Sequence, residues 1–197
     1  MTLRHRAAAM VERVTLEAAH SLGTEAALVV RDAVGAVLAV RDPLIEDDHD
    51  PRLLHPARTV LILLSDTTCR DAAALAAAAF IESLDTALRA PLDELERVAG
   101  GAARGIASAA PNAARGTTLE DLVSAPRDSA VIAIAERLDH ARHLHLRPDL
   151  AWAPFHADVE TVWAPAAHFL APGLGRRLDR WADGFRARRL LRPPHGP

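Results

Sequence analysis

The sequence predicts a single all-α domain, and three observations lead to this fold class. Apolar residues recur every three or four positions along most of the chain, which is the period of a helix with one buried face. Prolines and N-capping residues separate these apolar segments at helix-like intervals. The 197 residues are 50% hydrophobic and 25% charged, as in an ordinary globular domain. We therefore assign residues 1–190 to one domain and predict a disordered, Pro-rich tail at 191–197.

The N-terminal quarter contains the one predicted departure from helix. Val11 and Val14 belong to an apolar series that stops before Gly23, so a first helix is predicted over residues 3–22. Two Val-rich stretches follow and are separated by Gly35, a pattern that predicts a small β-hairpin near residues 27–42. The acidic, Pro-flanked residues 43–51 are then expected to form a solvated loop.

The next helices are predicted from their own start and stop signals. The apolar stretch 53–64 is one helix, and Asp71 can cap another that runs to about residue 87. Pro91 suits the first position of a further helix. Thr117, with Glu120 three residues later, matches a capping box and predicts a short helix that ends at Pro126.

The C-terminal part contains the strongest helical pattern of the chain. Over residues 128–146, Val131, Ile134 and Leu138 fall on one face of a helix, and Pro148 should stop it. Two more helices are predicted at 155–171 and 174–190.

Composition excludes several function classes. A lone Cys69 can form neither an internal disulfide nor a Cys-type zinc site. The apolar stretch 72–81 is too short to cross a bilayer, and Glu12 and Glu17 lie where a signal peptide would need its apolar segment. We therefore expect a cytoplasmic protein without a membrane partner.

Charge gives no positive indication of nucleic-acid binding. The formal net charge is only -3. Arginines are frequent over residues 176–192, but Asp179 and Asp183 interrupt the run, so we interpret it as a solvated helix face. Nucleic acid is therefore not a predicted partner.

Four short segments carry the functional signal. His55-Pro56 opens the apolar helix at 53–64, and Ala-Ala-Ala-Phe at 77–80 leads into Ile81-Glu82. The third segment, 133–142, reads Ala-Ile-Ala-Glu-Arg-Leu-Asp-His-Ala-Arg, and the last comprises Val-Trp-Ala-Pro-Ala-Ala-His at 162–168 and Arg-Leu-Asp-Arg-Trp-Ala at 177–182. In their order and spacing these segments resemble the alarmone-hydrolase domain of the RelA/SpoT proteins. That resemblance implies an HD-domain-like helical bundle.

The resemblance also implies where a metal would be held, and it identifies a degenerate site. Family members bind one divalent cation, commonly manganese, through His, His-Asp and Asp; the corresponding residues here are His55, Ile81, Glu82 and Glu136. An aliphatic Ile cannot ligate a metal, so the predicted metal residues are His55, Glu82 and Glu136. Glu82 and Asp85, which corresponds to a family Glu, would be catalytic only in an active site, and Mn²⁺ would be its cofactor. In an inactive site no cofactor is expected.

The substrate side of the resemblance is altered as well. Family members carry an Arg-Lys pair shortly before His-Pro, where this chain has Glu46 and Asp47, so the charge that suits a polyphosphorylated nucleotide is reversed. The candidate substrate contacts that remain are Arg52, Arg58 and His140.

Two interpretations of the site stay open. Glu136 and His140 are four residues apart on one predicted helix, so His140 could replace the missing imidazole beside His55, Glu82 and Asp85. The alternative is that His55 is a capping or buried hydrogen-bonded residue retained for the fold.

The function predicted from the sequence is therefore that of a pseudo-hydrolase. It would act by binding a guanine nucleotide, a protein partner or a second copy of itself. The alternative is a metal-dependent nucleotide pyrophosphohydrolase with a rearranged Glu/His site. Fold analogy alone cannot decide between them.

Overall fold

The computed structural model describes residues 3–45, 47, 50–111, 116–147 and 151–190. Within these ranges the chain is nearly all helical and has no β-strand, which confirms the predicted all-α class. The finer prediction of an HD-type arrangement stays a prediction. The tail at 191–197 lies outside the described residues, as do Glu46 and Pro148. No described helix is long and apolar enough to cross a membrane.

The α-helices are numbered along the chain. They are α1 (Leu3–Leu22), α2 (Thr24–Arg41), α3 (His55–Asp66), α4 (Ala72–Phe80), α5 (Leu92–Ser108), α6 (Leu119–Ser124), α7 (Arg127–His143), α8 (Trp152–Asp158), α9 (Ala164–Leu170) and α10 (Pro172–Leu190). Short 3₁₀ turns cover Asp42–Leu44, Pro51–Leu54, Thr86–Leu88 and Leu144–Leu146, and a π-turn at Val159–Trp163 joins α8 to α9.

The predicted β-hairpin at residues 27–42 is wrong, because this segment forms most of helix α2. The buried residues of α2 recur at helical spacing, from Ala27 and Val30 through Val34 and Val37 to Arg41. Val favours strands only weakly, and burial of one helical face against α1 and α4 overrides that preference. Gly35 does not turn the chain: it is an ordinary helical residue with open space around its Cα.

Two predicted boundaries also differ in the structure. Asp71 caps α4 as predicted, since its carboxylate accepts a hydrogen bond from the Ala73 backbone N–H at 2.7 Å. That helix ends at Phe80 rather than near residue 87, because Ile81 is extended (φ -71°, ψ 127°). The capping box lies one residue later than predicted and pairs Thr118 with Asp121.

Helix α7 lies at the centre of the fold, in contact with α3, α4, α9 and α10. The sequence predicted one apolar face, but every residue from 129 to 141 is buried. Four of these carry charged or ionisable side chains: Glu136, Arg137, Asp139 and His140. Buried charges need partners, and the elements around α7 supply them.

The predicted solvated loop at 43–51 is more structured than expected where it is described. Asp50 is the N-cap of the turn Pro51–Leu54, and its carboxylate accepts hydrogen bonds from the backbone and the guanidinium of Arg52. The Asp50 side chain retains only 10% of its exposure. This turn directly precedes His55, the first residue of α3.

Candidate functional site

His55 is fixed at the N-terminus of α3 by a carboxylate from α7. The residue is 1% exposed, and its Nδ1 lies 2.8 Å from Oδ2 of Asp139. Arg58, one turn later, donates to the same carboxylate from Nε and Nη2, both at 2.8 Å. Burial lowers the pKa of His55, with a further contribution from the positive charge of His140, so the ring is neutral. A neutral ring that donates from Nδ1 presents the lone pair of Nε2 to the interior.

Glu82 enters the same interior from the extended segment after α4. It is 3% exposed, and its Oε1 accepts hydrogen bonds from the backbone N–H groups of Leu84 and Asp85. Its Oε1 also lies 3.4 Å from Nε2 of His140, while its Oε2 lies 4.0 Å from Nε2 of His55. The backbone bend that ends α4 at Phe80 therefore points this carboxylate towards both imidazoles.

Glu136 comes from α7 and is completely buried. Ser83 holds it, because both the backbone N–H and the hydroxyl of Ser83 donate to Glu136 Oε1 at 2.7 Å. Nε2 of His140 lies 3.1 Å from the same oxygen. Burial opposes ionisation of Glu136, but the hydrogen bond from His140 outweighs it, and the pKa of the carboxyl is lowered.

His140 links the two carboxylates and carries a positive charge. Burial would lower its pKa, but hydrogen bonds to Glu136 and Glu82 outweigh burial and raise the pKa to about 9. Its ring stacks on that of His55, with centroids 4.5 Å apart and an interplanar angle of 25°. At neutral pH the interior therefore holds an imidazolium on top of a neutral imidazole.

A metal ion could be held by His55, Glu136 and His140. Each offers one ligand atom, and these atoms lie within 4.8 Å of one another. Two further observations bear on the fit: His55 Nε2 and Glu82 Oε2 are buried and have no hydrogen-bond partner among the described residues. The donor set, two imidazoles and one or two carboxylates, suits Zn²⁺ or Mn²⁺. This group contains the predicted His55 and Glu136, together with the His140 of the alternative interpretation, while Glu82 lies beside it.

Two of the residues named from the sequence lie outside this cluster. Asp85 pairs with Arg52, with Oδ2 2.7 Å from Nη1, and is not among the candidate metal-binding residues of the described chain. Ile81 is half-buried at the C-terminal end of α4, packed against the core. Asp85 still contacts Glu82 through its backbone N–H, which donates to Glu82 Oε1 at 3.0 Å. A catalytic role of Glu82 and Asp85 stays a prediction.

Beside the buried cluster lies a shallow pocket that is partly open to solvent and has enclosed room for little more than a water molecule. The three predicted substrate contacts, Arg52, Arg58 and His140, all line it; substrate binding itself stays a prediction. The complete lining is Arg52, His55, Arg58, Asp139, His140, His143 and Arg147. Among these lining residues, Asp139 is the single carboxylate, and Arg52, Arg58, Arg147 and the His140 imidazolium are the cations.

Three residues in contact with the buried cluster were not identified from the sequence: Arg41, Ser83 and Asp139. The pocket residues His143 and Arg147 were not identified either. Asp139 lies three residues after Glu136, so helical spacing alone could have placed it on the same side of α7. Arg41 continues the buried face of α2 and was hidden by the hairpin prediction. Ser83 carries no comparable signal, because the extended segment that places it could not be foreseen.

No protein-family model matches the chain, and no curated protein was found to be similar to it. Function is therefore inferred from the side chains themselves.

Proposed function

We propose that this protein is a non-hydrolytic relative of the alarmone hydrolases that acts by binding a phosphorylated nucleotide. The observation that carries the proposal is that the two acids in the positions of metal ligands, Glu82 and Glu136, are already engaged inside the protein. Glu136 accepts from Ser83 and His140, and Glu82 accepts from two backbone N–H groups and approaches His140. A carboxylate held in this way loses hydrogen bonds if it turns to a metal.

The pocket above the cluster favours an anion as the ligand. Its lining brings Arg52, Arg58, Arg147 and the His140 imidazolium around a single carboxylate, Asp139. That carboxylate is itself engaged by His55 and Arg58. Arg52 is paired with Asp50 and Asp85 at the rim, so a bound phosphate would replace these carboxylates on its guanidinium. Guanidinium groups bind phosphate oxygens with two parallel hydrogen bonds, which suits a nucleotide phosphate.

The test is a paired measurement of binding and turnover with guanosine tetraphosphate. We expect calorimetry to detect binding, and we expect no release of pyrophosphate with or without Mn²⁺. Arg52→Gln should weaken binding about tenfold or more through loss of a charged hydrogen-bond donor. The control Arg31→Gln, at an exposed arginine paired with its neighbour Asp32, should not weaken it. Turnover that disappears in a His55→Ala variant would contradict the proposal.

A second candidate function is metal-dependent hydrolysis of a nucleotide pyrophosphate. The observation that favours it is a pair of buried atoms without a hydrogen bond among the described residues, His55 Nε2 and Glu82 Oε2, beside Glu136 and His140. A divalent cation bound there would lower the pKa of a water and polarise a phosphoryl oxygen. The chain's own part would be to hold the phosphate oxygens at Arg52 and Arg58. Mn²⁺-dependent pyrophosphate release, abolished by His55→Ala, would establish this alternative.

A further inference from the structure

Arg41, the last residue of α2, is a fully buried guanidinium beside the acids of the cluster. It is 0% exposed. Its Nη1 donates to the Arg52 backbone carbonyl at 2.9 Å, and its Nη2 lies 3.2 Å from Oε2 of Glu82. Its Nε and Nη2 nevertheless have no partner in hydrogen-bond geometry among the described residues. The contact with Glu82 is therefore one of charge more than of hydrogen bonding.

A buried guanidinium with two unbonded nitrogens lowers the stability of the fold unless nearby negative charges compensate for it. Desolvation penalises a buried ion strongly, and two N–H groups without acceptors add to the penalty. Of the nearby buried acids, Glu136 is hydrogen-bonded by Ser83 and contacts His140, whereas Oε2 of Glu82 lies against Arg41. Glu82 thus has a guanidinium cation beside it without any added ion.

We infer that Arg41 is the resident cation of this cluster, holding the place against Glu82 that a divalent metal would otherwise take, and so opposes binding of a metal that uses Glu82 as a ligand. The inference deepens the proposed function and rests on it, because it gives the physical reason why the alarmone-hydrolase chemistry would be lost. A metal that used Glu82 Oε2 would lie within a few ångströms of a fixed guanidinium charge. Like charges at that distance in a buried site repel strongly.

The inference predicts that removing this charge creates a metal site. In Arg41→Met the side chain keeps an apolar volume, Glu82 loses its cation, and Oε2 is left facing Nε2 of His55. We expect Arg41→Met to bind one Mn²⁺ per chain about tenfold or more tightly than the unaltered protein, in the range by which neighbouring groups tune metal sites. Arg41→Lys retains the charge and should bind Mn²⁺ as weakly as the unaltered protein.

The measurement is a titration of Mn²⁺ followed by the electron paramagnetic resonance signal of the free ion. Adding His55→Ala to Arg41→Met should remove the gain in affinity, which ties the new site to the cluster. Equal Mn²⁺ affinity of Arg41→Met and the unaltered protein, or a gain that survives His55→Ala, would overturn the inference. Tight Mn²⁺ binding by the unaltered protein would overturn it as well.

Arg41→Met removes the guanidinium beside the buried Oε2 of Glu82, which destabilises the fold, so a second readout covers a variant that does not fold. In that case circular dichroism replaces the titration, and we expect Mn²⁺ to restore helicity. Failure of Mn²⁺ to do so, while Arg41→Met/Glu82→Gln folds, would mean that Arg41 only neutralises Glu82, and the metal-exclusion role would be wrong. These readouts measure metal and folding, so they are separate from turnover: pyrophosphate release by the unaltered protein would refute the proposed function whatever the Mn²⁺ affinities are.

Discussion

Replacing Asp139 with Ala tests the structural centre of the site. The carboxylate is 1% exposed and accepts hydrogen bonds from His55 and, twice, from Arg58. Its removal leaves a buried imidazole N–H and a largely buried guanidinium without their acceptor. Breaking a buried ion pair by removing one partner costs about 3–5 kcal/mol. Domains of this kind have a total free energy of unfolding of about 5–15 kcal/mol, so the loss would be a large fraction of it.

The assay is urea denaturation followed by far-ultraviolet circular dichroism. With an m-value of about 2 kcal/mol/M, a loss of 3–5 kcal/mol lowers the urea midpoint by about 1.5–2.5 M. The matched control is Asp179→Ala, which removes an Asp–His pair that is half exposed on both sides and should cost less than about 1 kcal/mol. If Asp139→Ala shifts the midpoint no more than Asp179→Ala does, the buried network does not stabilise the fold as described.

The same carboxylate gives a pH dependence with a definite sign. Burial opposes ionisation of Asp139, but hydrogen bonds from His143, His55 and Arg58 outweigh it, and its pKa lies well below the ordinary value. Its contribution to stability is therefore present above the unfolded pKa of about 4 and is lost as the pH falls through the folded pKa. The difference in stability between the unaltered protein and Asp139→Asn should be largest at neutral pH and should shrink below about pH 4.

Other predictions concern packing, capping and one imidazolium. A Cβ at Gly173 would overlap the backbone carbonyl oxygen of Asp66, so Gly173→Ala should lower the free energy of unfolding by about 1–3 kcal/mol, whereas Gly35→Ala, with open space in mid-helix, should raise it by about 0.5–1 kcal/mol. Equal effects in urea denaturation would contradict this. Asp71→Ala should cost about 1 kcal/mol through loss of the α4 cap, and an unchanged midpoint would argue against that cap. His140, with a pKa raised to about 9, should titrate near pH 9 by NMR; its stabilising contribution is complete below 6.5 and is lost as the pH rises through 9. A midpoint near 6.5 would show that the carboxylates do not hold its proton.

The fold was predictable wherever the buried face was apolar and the chain carried its own stop signals. Helix α1 and the cap at Asp71 follow from such local features. The hairpin error arose because β-branched residues and a glycine were given more weight than spacing. Burial at every third or fourth residue from Ala27 to Arg41 is a helical pattern. Its last member is an arginine, which is not expected to be buried. Tertiary contacts with α1 and α4 make this segment helical, and such contacts cannot be predicted from a single sequence.

The site was predictable only where residue types matched a familiar pattern. His55, Glu82 and Glu136 were named because the order of the segments pointed to them, and the structure brings them together in one interior. Arg41 comes from an element that was predicted as a strand. Asp139 was passed over because charged residues next to an apolar helical face usually point to solvent, whereas α7 is enclosed on all sides.

The enclosure of α7 has a consequence for how this chain folds. Asp139 on α7 lies 84 residues after its partner His55, and Asp158 lies 21 residues after its partner, the buried Arg137. The charged residues of α7 can be buried only when their partners, which lie both before and after α7 in the sequence, are in place. Contacts of such separation slow folding relative to a bundle of local hairpins. During synthesis we therefore expect α7 to wait, helical but solvated, until α8 has emerged, so that burial of its charges is a late step of folding.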